Sequence, residues 1–175
     1  MPNDRTAGDA SGQGNNGTLT NGPVRAIGRI GQALDFDGSN DYVSIPAAAS
    51  VKGLDAASIS LWYRPTANPS GNAGLYYEST ASSGFSRLAV FHNSNGDLVG
   101  VMRDSDAGGP FISTETAPFT NNQWYHVALT LNAANDNLLL YRNGSQVASN
   151  TSAKGSFTTG NPADPIAIGA FSGAI

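Results

Sequence analysis

Few groups in this 175-residue chain could do chemistry, and their types and spacing allow two kinds. Asp35, Asp37 and Asp41 stand around Gly38-Ser39-Asn40, close enough for carboxylate oxygens to gather on a hard cation. The same spacing suits plain turn chemistry. Asp and Asn side chains bond nearby amides, and Gly38 takes left-handed angles without steric cost. The second kind is aromatic. Residues 58–64 and 124–131 alternate with period two, so Ile59, Leu61 and Tyr63 point one way in a strand and Ser60, Trp62 and Arg64 the other. Likewise Tyr125, Val127, Leu129 and Leu131 oppose Trp124, His126, Ala128 and Thr130. Trp62, Arg64, Trp124 and His126 therefore share the parity opposite the apparent core. Two readings stay open: an exposed platform on which sugar rings stack, or rings packed beneath loops. Tyr76, Tyr77, Arg87, Arg103, Asp104 and Asp106 are expected as loop side chains that bond sugar hydroxyls.

Catalytic constellations are not found. Glycoside hydrolysis needs two carboxyl groups facing each other across the bond, and Glu78 and Glu115 stand alone in Tyr-Glu-Ser and Thr-Glu-Thr contexts. No serine sits in a Gly-x-Ser-x-Gly elbow. His92 and His126 fall on alternating strands, where a satisfied structural role is expected, and no glycine-rich phosphate loop is present.

The elements that must position these groups are strands. An apolar run through Leu34 and Phe36 meets the Asp37–Asp41 turn, and a second run through Tyr42, Val43 and Ile45 stops at Pro46, so a hairpin or bulged corner is expected. Residues 1–29 read as an irregular leader with one short strand at Thr18-Leu19-Thr20, part of the same domain as residues 30–175. A brief helical turn is expected at 47–51. Strands follow at 75–79, 85–92, 98–103, 111–116, 138–142, 146–149 and 166–169. A two-residue hairpin is expected at Ser94-Asn95-Gly96-Asp97 and another at Asn143-Gly144.

Composition agrees with an all-β class. There are 21 glycines, 13% of residues are charged, and polar runs separate short apolar segments. One domain is expected from the length. A net charge of -4 with no Lys/Arg run excludes a nucleic-acid footprint. No apolar window suits membrane insertion, and Met1-Pro2-Asn3-Asp4 opens no signal peptide. The absence of cysteine excludes disulfides and thiol chemistry.

Seven segments carry a resemblance. DASGQGNNGTL (9–19), IGQAL (30–34), ALDFDGSNDYVSIP (33–46), SISLWYRP (58–65), WYHVALTL (124–131), LLLYRNGSQV (138–147) and IAIGA (166–170) resemble, in order, laminin-G-like domains of the concanavalin A-like lectin/glucanase superfamily. The resemblance implies a two-sheet antiparallel jelly-roll sandwich with one concave and one convex sheet. It also implies a structural calcium ion, for which Asp9, the 12–16 loop and the Asp37-Gly38 turn are the matching positions, joined by Asp41 from the acidic cluster; no cofactor is otherwise required. The E-x-D-x-x-E strand of the superfamily's glucanases has no counterpart. Nor do the family's first strand, before Asp9, and its final strand, after 171–175. Such a unit would expose a sheet edge, so the expectation is either a truncated gene product or a unit completed by another chain, as a homo-oligomer or by a strand-completing partner.

The resulting expectation is a non-catalytic carbohydrate-binding or adhesion module of a bacterial or phage surface protein. It would be extracellular, cell-surface or virion-associated, with a glycan or surface protein as partner. The alternative is a structural or oligomerising β-sandwich, such as a capsid decoration or spacer, without a glycan site. Candidate ligand contacts are Trp62, Arg64, Tyr77, Arg87, Arg103, Asp104, Trp124 and His126; candidate metal ligands are Asp9, Asp37 and Asp41.

Overall fold

Turn residues cut this chain into short apolar runs that are too brief to bury themselves alone, so each pairs laterally and stacks on a second layer. The computed structural model describes residues 5–49, 54–79, 86–103, 111–153 and 166–170. Its strands are β1 (Thr6–Ala7), β2 (Gly17–Thr20), β3 (Val24–Ile27), β4 (Gln32–Asp35), β5 (Tyr42–Ile45), β6 (Ala56–Tyr63), β7 (Ala73–Ser79), β8 (Ser86–His92), β9 (Leu98–Met102), β10 (Phe111–Glu115), β11 (Tyr125–Asn132), β12 (Asn137–Arg142), β13 (Ser145–Asn150) and β14 (Ile166–Ile168). Among the described residues helix is confined to 3-10 turns at Ala47–Ala49 and Ala133–Asn135. No helix among the described residues is long and apolar enough to cross a membrane.

Eight strands form one sheet in the order β1-β2-β5-β14-β7-β8-β9-β10, and four form another in the order β13-β12-β11-β6. Every pairing is antiparallel. The layers meet over Leu75, Leu88, Val90, Leu98 and Met102 from the larger sheet and Val127, Leu129, Leu131, Leu138 and Leu140 from the smaller. Full burial of each such side chain stabilises the fold by about 1.5–3 kcal/mol. Strand β11 carries the expected alternation of buried and half-buried residues, with Tyr125, Val127, Leu129 and Leu131 inward. Strand β9 is buried at every position, because its alternate residues Val99 and Val101 join Tyr77, Ala89 and Phe91 in a second cluster on the sheet's other side. The architecture is the all-β sandwich expected.

Of the two readings of the acidic stretch the structure takes the corner: β4 pairs with β3, whereas β5 lies between β2 and β14. Three local expectations are corrected. The leader holds three strands, because β1 and β3 flank β2; β1 and β3 are too short and too little buried to show a pattern. Strand β1 also places a pairing element before Asp9, where none was expected. The connection after His92 is a three-residue loop, since Asn93 N donates to Asp97 O at 3.0 Å and left-handed Gly96 (φ 90°) donates to Asn93 O at 3.0 Å. That is a type I turn closed by a glycine bulge. The Asn143-Gly144 turn is as expected: both residues have positive φ, 52° and 82°, and Arg142 pairs with Ser145.

Candidate functional site

Strand β6 lies antiparallel to β11 with Trp62 opposite His126. Because side chains alternate across a strand, this register sets both on the outer face of the four-stranded sheet. Their rings meet edge-on at 5.3 Å, and His126 Nε2 shares a 2.8 Å hydrogen bond with Ser60 Oγ. Trp62 remains 39% exposed. Beyond Tyr63 the chain leaves the sheet at Pro65, whose carbonyl accepts from Asn122 N at 2.7 Å. There the Arg64 guanidinium lies over half-buried Trp124 at 5.2 Å. Arg29 lies over Trp62 at 5.4 Å. Cations seek the electron-rich ring face, so each guanidinium is drawn to its indole.

Arg29, Trp62, Arg64 and Trp124 line a cleft of about 1320 Å³. One wall is the β3–β4 ribbon and the corner after it, including Ile27, Ile30 and Leu34. The other runs from Leu61 through Trp62 and Arg64 to the Asn68–Asn72 loop. An exposed indole, two guanidiniums and the Asn68 and Asn72 amides surround a space large enough for an oligosaccharide.

The structure thus brings Trp62, Arg64 and Trp124 together in one cleft, with His126 against Trp62. It does not bring Tyr77, Arg87 or Arg103 there. Their expected loop placement is corrected for two of them: Tyr77 lies in β7 at 1% exposure and Arg87 in β8 at 0%. Arg103 follows β9, where its N donates to Arg87 O at 2.8 Å. Tyr76 is also a strand residue, its hydroxyl donating to buried Glu78 at 3.2 Å. Asp104 and Asp106 lie outside the described residues. Arg29 was missed, although the Gly28-Arg29-Ile30-Gly31 turn that presents it, closed by Gly28 N to Gly31 O at 2.9 Å, has a readable glycine signature.

The acidic residues are occupied by their own turns. Asp9 accepts from Ser11 N, Ser11 Oγ and Asn15 N, each at 2.8 Å. Those bonds hold its carboxyl below the usual range. Asp37 accepts from Ser39 N at 2.8 Å and Asn40 N at 3.2 Å, with the same consequence, and buried Asp41 accepts from Asp37 N at 3.1 Å. Among the described residues no group of three or more His, Cys, Asp or Glu is placed to hold a metal. That count leaves out the main-chain carbonyls, which with a carboxylate are what the resemblance implies would hold calcium. Glu115 pairs with Arg142 at 2.8 Å.

A family model described as concanavalin A-like lectin/glucanases superfamily, of the laminin G type, matches residues 37–174. The chain belongs to this family. Among solved structures, this laminin-G-like domain is similar to domain 4 of an extracellular arabinanase from Geobacillus stearothermophilus, solved with arabinotriose: TM-score 0.60, 18% identity, 89% of this chain and 74% of that one. It is similar to the carbohydrate-binding module of a Ruminococcus gnavus sialidase bound to α2,3-sialyllactose: TM-score 0.59, 20% identity, 71% of this chain and 69% of that one. Domains LG4-5 of mouse laminin α1 align with TM-score 0.51 and 18% identity over 69% of this chain and 29% of that one. At these identities the likeness shows the fold. No curated protein matches in sequence.

Proposed function

We propose that this laminin-G-like domain is a carbohydrate-binding module of a bacterial or phage surface protein, binding without catalysis. The observation that carries the reading is the exposed Trp62 ring in the cleft, with Arg29 above it and His126 at its edge. A pyranose or furanose ring presents apolar C–H faces that stack on such an indole, while guanidinium and amide groups bond its hydroxyls. The arabinotriose and sialyllactose in the similar structures support the ligand class. Glu78 and Glu115 are engaged by Tyr76 and Arg142, and neither carboxylate is among the residues that line the cleft.

The test is a glycan array followed by calorimetry on its best hit, with arabinotriose and sialyllactose included. Trp62→Ala is expected to weaken binding at least tenfold, about 1.4 kcal/mol, and to leave the melting temperature within a few degrees. Full affinity in that variant would remove Trp62 from the site, and an array without hits would favour the structural alternative.

No metal is assigned to the function. Calcium added to chelator-treated protein is expected to leave the melting temperature unchanged, because a ligand that binds only the native state must raise it. A rise would restore Asp9, Asp37 and Asp41 as ligands.

A further inference from the structure

The cleft is not uniform in charge. Two exposed guanidiniums line it. Arg29 sits 5.4 Å from the Trp62 ring centroid and Arg64 5.2 Å from that of Trp124. Among the described residues neither guanidinium is hydrogen-bonded or ion-paired. Arg142, by contrast, is engaged by Glu115 at 2.8 Å and Ala117 O at 2.6 Å, and Arg25 by Thr6 O at 2.7 Å.

The carboxylates that line the same cleft stand apart from Arg29. In the β3–β4 ribbon, Ile27 lies opposite Gln32 beside the turn that carries Arg29, and Val24 lies opposite Asp35 at the far end. The extended strand from Gln32 to Asp35 spans about 10 Å, which is about the screening length at 0.1 M salt. Asp37 and Asp41 follow in the corner beyond Asp35, and with Asp9 they already accept amide bonds from their own turns. The ribbon therefore carries positive charge at its turn and negative charge at its base.

We propose that the ligand of this cleft is a saccharide in which one unit carries an anionic group, a sugar carboxylate or a sulfate ester, and that this unit sits at Arg29 and Arg64. The proposal deepens the carbohydrate reading and rests on it. A guanidinium meets either group through paired N–H···O bonds, while the Trp62 ring takes the apolar face of the same unit or the next. The neutral remainder of the saccharide runs towards the corner, where Asp35, Asp37 and Asp41 repel further anions. A uniformly charged polyanion reaches the arginines only by also meeting those carboxylates, so a singly charged glycan is preferred to it.

The test is an array of sialylated, uronic-acid-bearing and sulfated oligosaccharides beside their carboxyl-reduced or desulfated counterparts, with heparin as the polyanion. The native chain is expected to favour a singly charged glycan at least tenfold over its neutralised counterpart and over heparin. That preference should shrink as salt rises from about 0.05 to 0.5 M. Whether reduction or desulfation abolishes it separates the carboxylate from the sulfate ester. The Arg29→Gln/Arg64→Gln double variant should lose the preference, bind the neutralised glycan within about twofold of the native chain, and melt within a few degrees of it. Hits that bind equally well once neutralised would overturn the anionic unit and leave the carbohydrate reading standing, whereas an array without hits would overturn both. Tightest binding to heparin would overturn the single charged unit, and a double variant that keeps the preference would remove Arg29 and Arg64 as its cause.

Discussion

Gly169 shows how far single residues constrain this sandwich. Its φ of 88° lies in the region side chains avoid, and a Cβ there would enter the Phe36 ring. Phe36 heads the acidic corner, so the contact ties the end of β14 to the chain that borders the cleft. Gly169→Ala should combine backbone strain of about 1 kcal/mol with overpacking of about 1–3 kcal/mol. Urea denaturation should therefore show a loss of roughly 2–4 kcal/mol. Arg142 makes a comparable demand by a different route. Its guanidinium bonds Ala117 O at 2.6 Å, pairs with Glu115 at 2.8 Å and covers Phe119 at 4.2 Å. A lysine is a point charge without the planar fork. Arg142→Lys should cost about 1–3 kcal/mol, measured in the same way, despite the retained charge.

Elements are set by period and punctuation, and here the loops carry as much information as the strands. The Asn93 side chain accepts from Asn95 N and Asp97 N, each at 2.9 Å, and donates Nδ2 to Asp97 Oδ2 at 2.9 Å. One residue thus organises the β8–β9 connection. Asn93→Ala should cost about 1–2 kcal/mol and raise amide exchange first at Leu98 and His92, which pair next to the loop. Strands β6 and β11 were legible from apolar alternation, β6 also from its Pro65 stop, and β8, β9 and β12 from apolar runs beside Asn95-Gly96 or Asn143-Gly144. The three-residue loop was misread as a two-residue one because Asn93 to Asp97 are nearly all turn formers by type, and only the backbone bonds between Asn93, Gly96 and Asp97 fix where the turn begins. Pairing partners were less legible still. The turn after Asp37 resembles a hairpin turn locally, and only the burial of β5 between β2 and β14 decides otherwise.

At the scale of the whole molecule, parity placed Trp62, Arg64, Trp124 and His126 on one surface, but nothing local could bring Arg29 to Trp62, since that contact depends on how the β3–β4 ribbon stands off the sandwich. Tyr77 and Arg87 were misplaced because burial on both sides of the larger sheet is a tertiary property. The same layered packing encloses His92, which is 0% exposed. Tyr63 of β6 reaches its Nδ1 at 2.9 Å, with a hydroxyl that burial pushes up to about 12, and Phe119 meets the ring edge-on at 4.8 Å. Burial first, and then Arg142 of β12, hold the imidazole below its ordinary 6.5, with Asp97 pulling the other way. The unfolded chain therefore binds the proton that the folded chain refuses. Stability attributable to His92 is complete above pH 6.5 and is lost as pH falls from there towards the depressed folded value. Glu115, raised by burial against the pull of Arg142, works in the opposite sense, losing stability as pH rises from its ordinary 4.5. The His92 effect sets in downward from pH 6.5 and that of Glu115 upward from pH 4.5, so a melting curve of the native chain alone does not separate them. Subtracting the pH profile of His92→Gln can: the difference in melting temperature should shrink steadily as pH drops below 6.5. A difference that stays constant with pH would mean that His92 takes up its proton equally in the folded and unfolded chains, and that its contribution is packing alone.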